Sequence, residues 1–224
     1  MRGFSCIIFD MDGVIFDSEQ ACLNCWRELA GKWGLDDIET VFRRCIGTNN
    51  KQTCDIVEEA YAATKGEGIA ERLMKESSVL FHTRYDNGKL PVKPGARELL
   101  EYLKGQGVRL GLASSTRRQS VEKELDAAGF LKYFDSLTCG DEVRVSKPDP
   151  EIYLLACGAM HVKPADAWAI EDSYNGVRSA HAAGLNVIMV PDIIPADDEM
   201  KSIADMICAD LFEVRKAIGA ARLS

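Results

Sequence analysis

Phe9-Asp10-Met11-Asp12-Gly13-Val14-Ile15 sets two acids one residue apart directly after the apolar run Ser5-Cys6-Ile7-Ile8. That run has the length of a buried strand and Gly13 breaks it, so Asp10 and Asp12 stand at a strand's C-terminal end. Two carboxylates this close repel, and burial raises the cost. They stay ionised only where a cation or a catalytic task compensates. Function is therefore expected to start here.

Working outward, the pattern from Ser18 to about Tyr85 is helical throughout. Helices are expected at about 18–33, 37–45, 51–64 and 69–85, with breaks at Gly34, Gly47-Thr48-Asn49 and Gly66-Glu67-Gly68. Beyond the turn Asp86-Asn87-Gly88, helix and strand alternate. A helix opens at Pro94-Gly95 and runs to about Gln106, followed by a strand at Val108–Ala113 and a helix at Arg117–Ala128. Ser136-Leu137-Thr138 and a helix from Pro150 come next, then a strand Ala167–Ile170, a helix Tyr174–Ala183 and a strand Asn186–Val190. Strands separated by helices imply a parallel sheet. The expected fold is α/β, a Rossmann-like parallel sheet core flanked by helices, made of residues 1–16 and 90–224, with an inserted α-helical domain at 17–89.

The 224 residues and 46% hydrophobic content allow a substantial core. A net charge of −8 opposes non-specific binding to nucleic acid or an anionic membrane and favours a small-molecule partner. Neither a leader pattern nor an apolar run long enough to span a bilayer is visible, so a cytoplasmic protein with reduced thiols is expected. A monomer is the expected state. Cys22-Leu23-Asn24-Cys25 lies i, i+3 on a helical apolar stripe and lacks a second pair to complete a zinc tetrad, so packing is the expected role. His82, His161 and His181 each fall in a helix-like stretch and are read as surface or packing residues. The acids Asp197-Asp198-Glu199 behind Pro191–Pro195 are read as a solvated loop.

Three further segments carry unusual polar residues after strands, where ligands bind in open α/β sheets. Ala113-Ser114-Ser115-Thr116 offers hydroxyls and backbone N–H groups at a strand-to-helix junction, which suits either a helix cap or an anion. In Ser146-Lys147-Pro148-Asp149-Pro150 the prolines and the capping Asp149 fix Lys147 in a rigid turn, which favours a functional ammonium. Ile170-Glu171-Asp172-Ser173-Tyr174-Asn175-Gly176 repeats the opening device of an apolar strand followed by two acids. Capping accounts for Asp172 or Ser173 but leaves Glu171 unexplained, whereas an oxygen-rich cation site explains both acid pairs.

Asp10-Met11-Asp12-Gly13-Val14-Ile15, Ser114, Lys147 and Glu171-Asp172, in this order, resemble the four signature segments of the haloacid dehalogenase-like hydrolase superfamily. The subgroup is the one with a helical cap after the first strand, and the likeness is nearest to its β-phosphoglucomutase-like branch. The resemblance implies that Asp10 attacks phosphorus and forms an aspartyl-phosphate, while Asp12 protonates the leaving oxygen and later activates water. It also implies Mg²⁺ held by Asp10, the backbone carbonyl of Asp12 and Asp172, with Glu171 as a direct or outer partner. Ser114, Ser115 and Lys147 would grip the phosphoryl group. Charge agrees with this picture, since four carboxylates against one ammonium leave the pocket near −3 and a phosphate dianion could not enter without a divalent cation.

The branch holds both phosphatases and mutases. By ungapped comparison the mutase pattern's cap histidine, phosphate-binding arginine and cap lysine fall at Cys22, Asn50 and Glu76, so the charge-assisted grips on a second phosphate are missing. Lys51 or Arg84 could substitute. The expected function is a Mg²⁺-dependent phosphatase for a small phosphorylated metabolite, a sugar or polyol phosphate, and a phosphotransferase like β-phosphoglucomutase is the alternative. Thr48, Asn49 and Asn50, with the segments Phe16–Glu19 and Lys89–Lys93, are the expected substrate-selecting residues. A dehalogenase needs neither Asp12 nor the Glu171-Asp172 pair. A non-enzymatic phospho-accepting domain is about half this length and carries its acceptor on a later strand.

Overall fold

A computed structural model describes residues 5–48, 50–86 and 88–222. The first strand, β1 (Cys6–Phe9), leads through a tight turn into four helices, α1 (Ser18–Trp33), α2 (Ile38–Cys45), α3 (Asn50–Lys65) and α4 (Ile69–Tyr85). The chain then alternates through α5 (Ala96–Gly105), β2 (Arg109–Ser114), α6 (Arg118–Ala127), β3 (Ser136–Cys139) and α7 (Glu151–Ala159). It finishes with β4 (Trp168–Glu171), α8 (Tyr174–Ala182), β5 (Asn186–Met189), α9 (Asp198–Ile203), β6 (Met206–Ile207) and α10 (Leu211–Arg222).

The six strands form one sheet in the order β3-β2-β1-β4-β5-β6, every pair parallel. Side chains alternate across a strand, so β1 sends Ile7 and Phe9 to one face and Cys6 and Ile8 to the other. On the first face they meet Leu99 and Leu103 of α5, Leu125 of α6 and Val214 of α10. On the second they meet Tyr153 and Ala156 of α7 and Val177 of α8. Covering both faces is what lets strands as apolar as these be central.

The four-helix insertion has a separate core of its own, with Leu23, Trp26, Phe42, Val57 and Leu73 among its members. Trp26 and Phe42 pack edge to face, ring centroids 5.0 Å apart. The two chain segments joining insertion to sheet are bound to each other. Asp17 donates its amide to the Pro91 carbonyl at 2.8 Å, and Lys93 donates its amide to the Ile15 carbonyl at 2.9 Å.

Two expectations are corrected. Asp197-Asp198-Glu199 is not a loop but the start of α9, because the Asp197 carboxylate accepts the Met200 amide at 2.8 Å and acids favour a helix N-terminus. His161 lies past the end of α7, in a left-handed backbone conformation with φ 48°. The short strand β6 and the helix α10 have no counterpart in the sequence reading.

Candidate active site

The sheet changes direction of winding between β1 and β4, and the site forms at the C-terminal ends of β2, β1 and β4, beside that switch. Register decides which residues meet. Phe9 is level with Ile170 on one side and Leu112 on the other, and the Asp10 amide continues the ladder by donating to the Ile170 carbonyl at 2.9 Å. Asp10 therefore sits between Ala113 and Glu171. Carboxylate oxygens of Asp10, Glu171 and Asp172 come within 4.8 Å of one another, all three residues buried.

Lys147 reaches this group from the turn before α7, its peptide to Pro148 being cis. Its ammonium donates to Asp10 Oδ1 at 2.6 Å, to Glu171 Oε1 at 2.6 Å and to the Ala113 carbonyl at 3.0 Å. Those three acceptors use all three ammonium protons. Burial by itself would depress the lysine's pKa, but the charges of Asp10 and Glu171 outweigh it and hold the ammonium above its ordinary range. The turn is fixed as its residues suggest, with Asp149 Oδ1 accepting the Glu151 amide at 3.0 Å.

The two acids at the end of β4 differ sharply. Glu171 is fully buried, and both of its oxygens are engaged. Oε1 accepts from Lys147 and from the Tyr153 hydroxyl at 2.8 Å, and Oε2 accepts from the Asp172 amide at 3.2 Å and the Ser173 hydroxyl at 3.3 Å. Gly176 leaves the room for this, since a Cβ there would stand 2.0 Å from the Glu171 carboxylate. Asp172 is buried too, yet no described residue donates a hydrogen bond to its carboxylate. Burial, then the charges of Glu171 and Asp10, push its pKa well above the usual carboxylate range. Asp10 is pushed the same way, by burial first, against the pull of Lys147. Gly13, at φ 77°, lets Asp172 approach, because a Cβ there would lie 2.2 Å from Asp172 Oδ2. A buried, unpartnered carboxylate beside two more carboxylates is the donor set of a hard divalent cation, so the residues fit Mg²⁺.

Asp12 turns away from this cluster toward the end of β2, where its Oδ2 accepts the Thr116 hydroxyl at 2.8 Å. Ser114 is buried and its Oγ accepts the Thr116 amide at 3.1 Å, while Ser115 is exposed at the cleft. Above the cluster a cavity of about 660 Å³ separates sheet from insertion. Glu19, Trp26, Phe42, Asn50, Met74 and Phe81 are among its walls. Thr48 is tied within the insertion, donating to the Cys45 carbonyl at 2.7 Å and meeting Thr53 Oγ1 at 2.8 Å. Asn49 lies outside the described residues. Cys22 borders the cavity, but burial pushes its thiol up to about 12, which agrees with a packing role.

Sequence reasoning quoted Thr116 without assigning it to Asp12, and it missed Tyr153. The Tyr153 hydroxyl is held protonated by burial and by the Glu171 and Asp10 charges. The third position of a largely apolar helix carries no signal of that partnership.

Paired acids at strand ends, a buried lysine bridging them and a helical insertion above the cleft define an α/β fold with a buried, charged candidate site at the C-terminal edge of its sheet. A family model described as haloacid dehalogenase-like hydrolase matches residues 7–190. The chain belongs to that family. It is 35% identical to the phosphorylated carbohydrates phosphatase of Thermotoga maritima over 81% of this chain and 82% of that protein. It is 29% identical to hexitol phosphatase B of Escherichia coli, over 92% of each. The crystal structure of CbbY from Rhodobacter sphaeroides in complex with phosphate superposes with a TM-score of 0.74 at 27% identity, over 94% of this chain and 96% of that one. With these relatives, in the β-phosphoglucomutase-like branch, the chain is a phosphoric monoester hydrolase. Among the described residues no helix is long and apolar enough to cross a membrane.

Proposed function

We propose that the chain is a Mg²⁺-dependent phosphatase acting on a small phosphorylated carbohydrate, a sugar or polyol phosphate, through an aspartyl-phosphate on Asp10. The observation that carries this reading is the convergence of Asp10, Asp172 and Lys147 from three distant parts of the chain on one point at the floor of the cleft. In it, residues 17–89 form the cap and residues 1–16 with 90–224 the catalytic core.

A carboxylate oxygen of Asp10 attacks phosphorus, and the bond to the leaving alcohol breaks as Asp12 gives that oxygen a proton. Water then attacks the aspartyl-phosphate, Asp12 takes the water's proton, and inorganic phosphate leaves with Asp10 restored. Thr116 holds one oxygen of Asp12, which leaves the other free to carry the proton. Ser114, Ser115 and Lys147 bind phosphoryl oxygens. The ammonium is already saturated, so a phosphoryl oxygen takes the place of one of its acceptors. Asp10, the Asp12 carbonyl and Asp172 would hold Mg²⁺, with Glu171 orienting them from behind because its own oxygens are spent. Bound there, the cation neutralises charge so that a phosphate dianion can enter.

Hydrolysis is favoured over mutase chemistry by the state of the cations. Lys147 and Lys123 are the cationic lysines among the described residues lining the cleft, and both are ion-paired, Lys123 with Asp86 at 2.9 Å. Arg84 is engaged with Glu28, and Glu76 with Arg72. Among the described residues lining the cleft, no lysine or arginine is left unpaired for a second phosphate. Asn50 and Glu19 supply hydrogen-bonding groups at the cavity suited to hydroxyls, whereas the expected Thr48 hydroxyl is spent within the insertion, and the names of the relatives point the same way.

A panel of phosphorylated metabolites with Mg²⁺, including β-glucose 1-phosphate with its bisphosphate activator, tests the reading. Release of inorganic phosphate from sugar or hexitol phosphates is expected, with loss on chelation and a drop of at least about a thousandfold in Asp10→Asn with the fold intact. Isomerised sugar phosphate without net hydrolysis, or full activity after either change, would overturn it.

A further inference from the structure

Asn175 has no part in the chemistry above, yet it ties the core to the cap by a side-chain hydrogen bond. It is the second residue of α8, three beyond Asp172, and its Nδ2 donates a hydrogen bond to the carbonyl of Gly47 in the cap loop between α2 and α3. Its orientation is settled by a neighbour. Arg178 Nη1 donates to Asn175 Oδ1 at 3.2 Å, and a guanidinium has only donors, so the amide oxygen must face Arg178 and the NH₂ must face Gly47. Arg178 is anchored in turn by Glu199 of α9, which accepts from its Nε at 2.7 Å.

The loop end of this contact is built to match. Gly47 sits at φ 73°, where a side chain would be strained, and a Cβ on it would come 3.5 Å from Asn175 Nδ2. Thr48 ties the loop back to Cys45 and Thr53, so a pull on the Gly47 carbonyl is borne by α2 and α3 together. Ile46 and Gly47 form part of the wall of the catalytic cavity. A second cavity of about 180 Å³, bordered by Thr48, Asp172 and Asn175, lies on the other side of the contact.

We propose that Asn175 is a positioning residue that latches the cap loop 46–48 shut over the active site, and that Arg178 sets the latch by fixing the amide. The inference rests on the phosphatase reading for its kinetic consequence, since a shut loop excludes competing nucleophiles while the phosphoryl group is on Asp10. The latch itself is a matter of geometry. Because Asn175 follows the metal-side acid on the same turn, one rigid segment carries both the site and its closure.

Asn175→Leu keeps the branched shape at the γ carbon and removes the hydrogen bond. For a hexitol phosphate, which needs the cap, KM should rise about five- to tenfold, the size of one lost hydrogen bond, while p-nitrophenyl phosphate is turned over as before. Glycerol added as a competing acceptor should capture a larger share of the phosphoryl group than in the parent. Amide hydrogen exchange at residues 46–48 should quicken in Asn175→Leu and in Arg178→Ala, which reads the latch without any turnover. Unchanged exchange at 46–48 in both variants, or an unchanged KM with unchanged glycerol capture, would overturn the proposal. A parent enzyme that hydrolyses no phosphate ester would instead overturn the phosphatase reading, and the exchange rates would still decide the latch.

Discussion

The floor and the roof of the cleft are built on opposite principles. On the floor, Asp10, Glu171 and Lys147 are almost wholly buried and interlocked, each charge satisfied by another or by backbone. On the roof, the helices of the insertion turn apolar side chains such as Phe42, Met74 and Phe81 to the cavity. Their charged residues pair on the outside, as Arg27 does with Glu39. A buried charge network tolerates no change in one member without penalty to the rest, whereas an apolar wall with exposed ion pairs does. In the proposed function the floor carries the reaction and the roof selects the substrate.

Removing the lysine is the severest way to break that contrast. Lys147→Met would leave Asp10 and Glu171 buried together with no cation between them, and desolvation and repulsion then act unopposed. Denaturant unfolding of the metal-free protein should show a loss of about 3 kcal/mol or more, and phosphatase activity should fall at least about a thousandfold. A loss below about 1 kcal/mol would mean that the floor is not held by charge compensation.

Glu19 sharpens the comparison because it belongs to the roof in sequence and to the floor in character. It stands on α1 against the cavity, and no described residue offers it a hydrogen bond. Burial, then the charges of Asp12 and Asp192, raise its carboxyl to about 7. Because the folded state binds the proton more tightly than the unfolded one, this group's contribution is intact below about 4.5 and is lost as pH rises through about 7. Glu19→Gln should therefore stabilise the metal-free protein at pH 8 by about 1–2 kcal/mol and do little at pH 4.5, as read by urea midpoints. A destabilised variant at pH 8 would show that the carboxylate has a cationic partner. A KM that rises for hexitol phosphates in the same variant would place its cost with substrate binding.

The two regions were not equally legible in the sequence. Asp10, Asp172 and Lys147 could be read because each follows a strand or sits in a proline-fixed turn, so local pattern alone puts it at the sheet's C-terminal edge. The four helices of the insertion could be read from period and glycine breaks. Glu171 as an outer partner was left open, and Tyr153, brought in by packing, joins the adjacent Ser173 in occupying its oxygens. The Asn175 contact with Gly47 spans 128 positions and depends on how the cap docks, which no local pattern encodes. In the α9–β6–α10 segment, β6 and α10 went unread because a two-residue strand gives no period, and α9 reads as a loop because a run of acids looks the same there as at a helix start.

The smallest expected effect bears on what the roof does not do. Sequence comparison left Arg84 as a possible substitute for the missing second phosphate grip, but its guanidinium is turned to Glu28 on the outer surface of α1 and α4 and does not border the cavity. Half-exposed pairs of this kind contribute little and fade in salt. Arg84→Ala should leave kcat/KM for a hexitol phosphate within about twofold of the parent, with a slight fall in Tm that disappears at high salt. If Arg84→Ala selectively weakened turnover of a sugar bisphosphate, the roof would hold a second phosphate after all. The division between a charged floor and an uncharged roof would then give way to two charged ends, which is the arrangement a mutase requires.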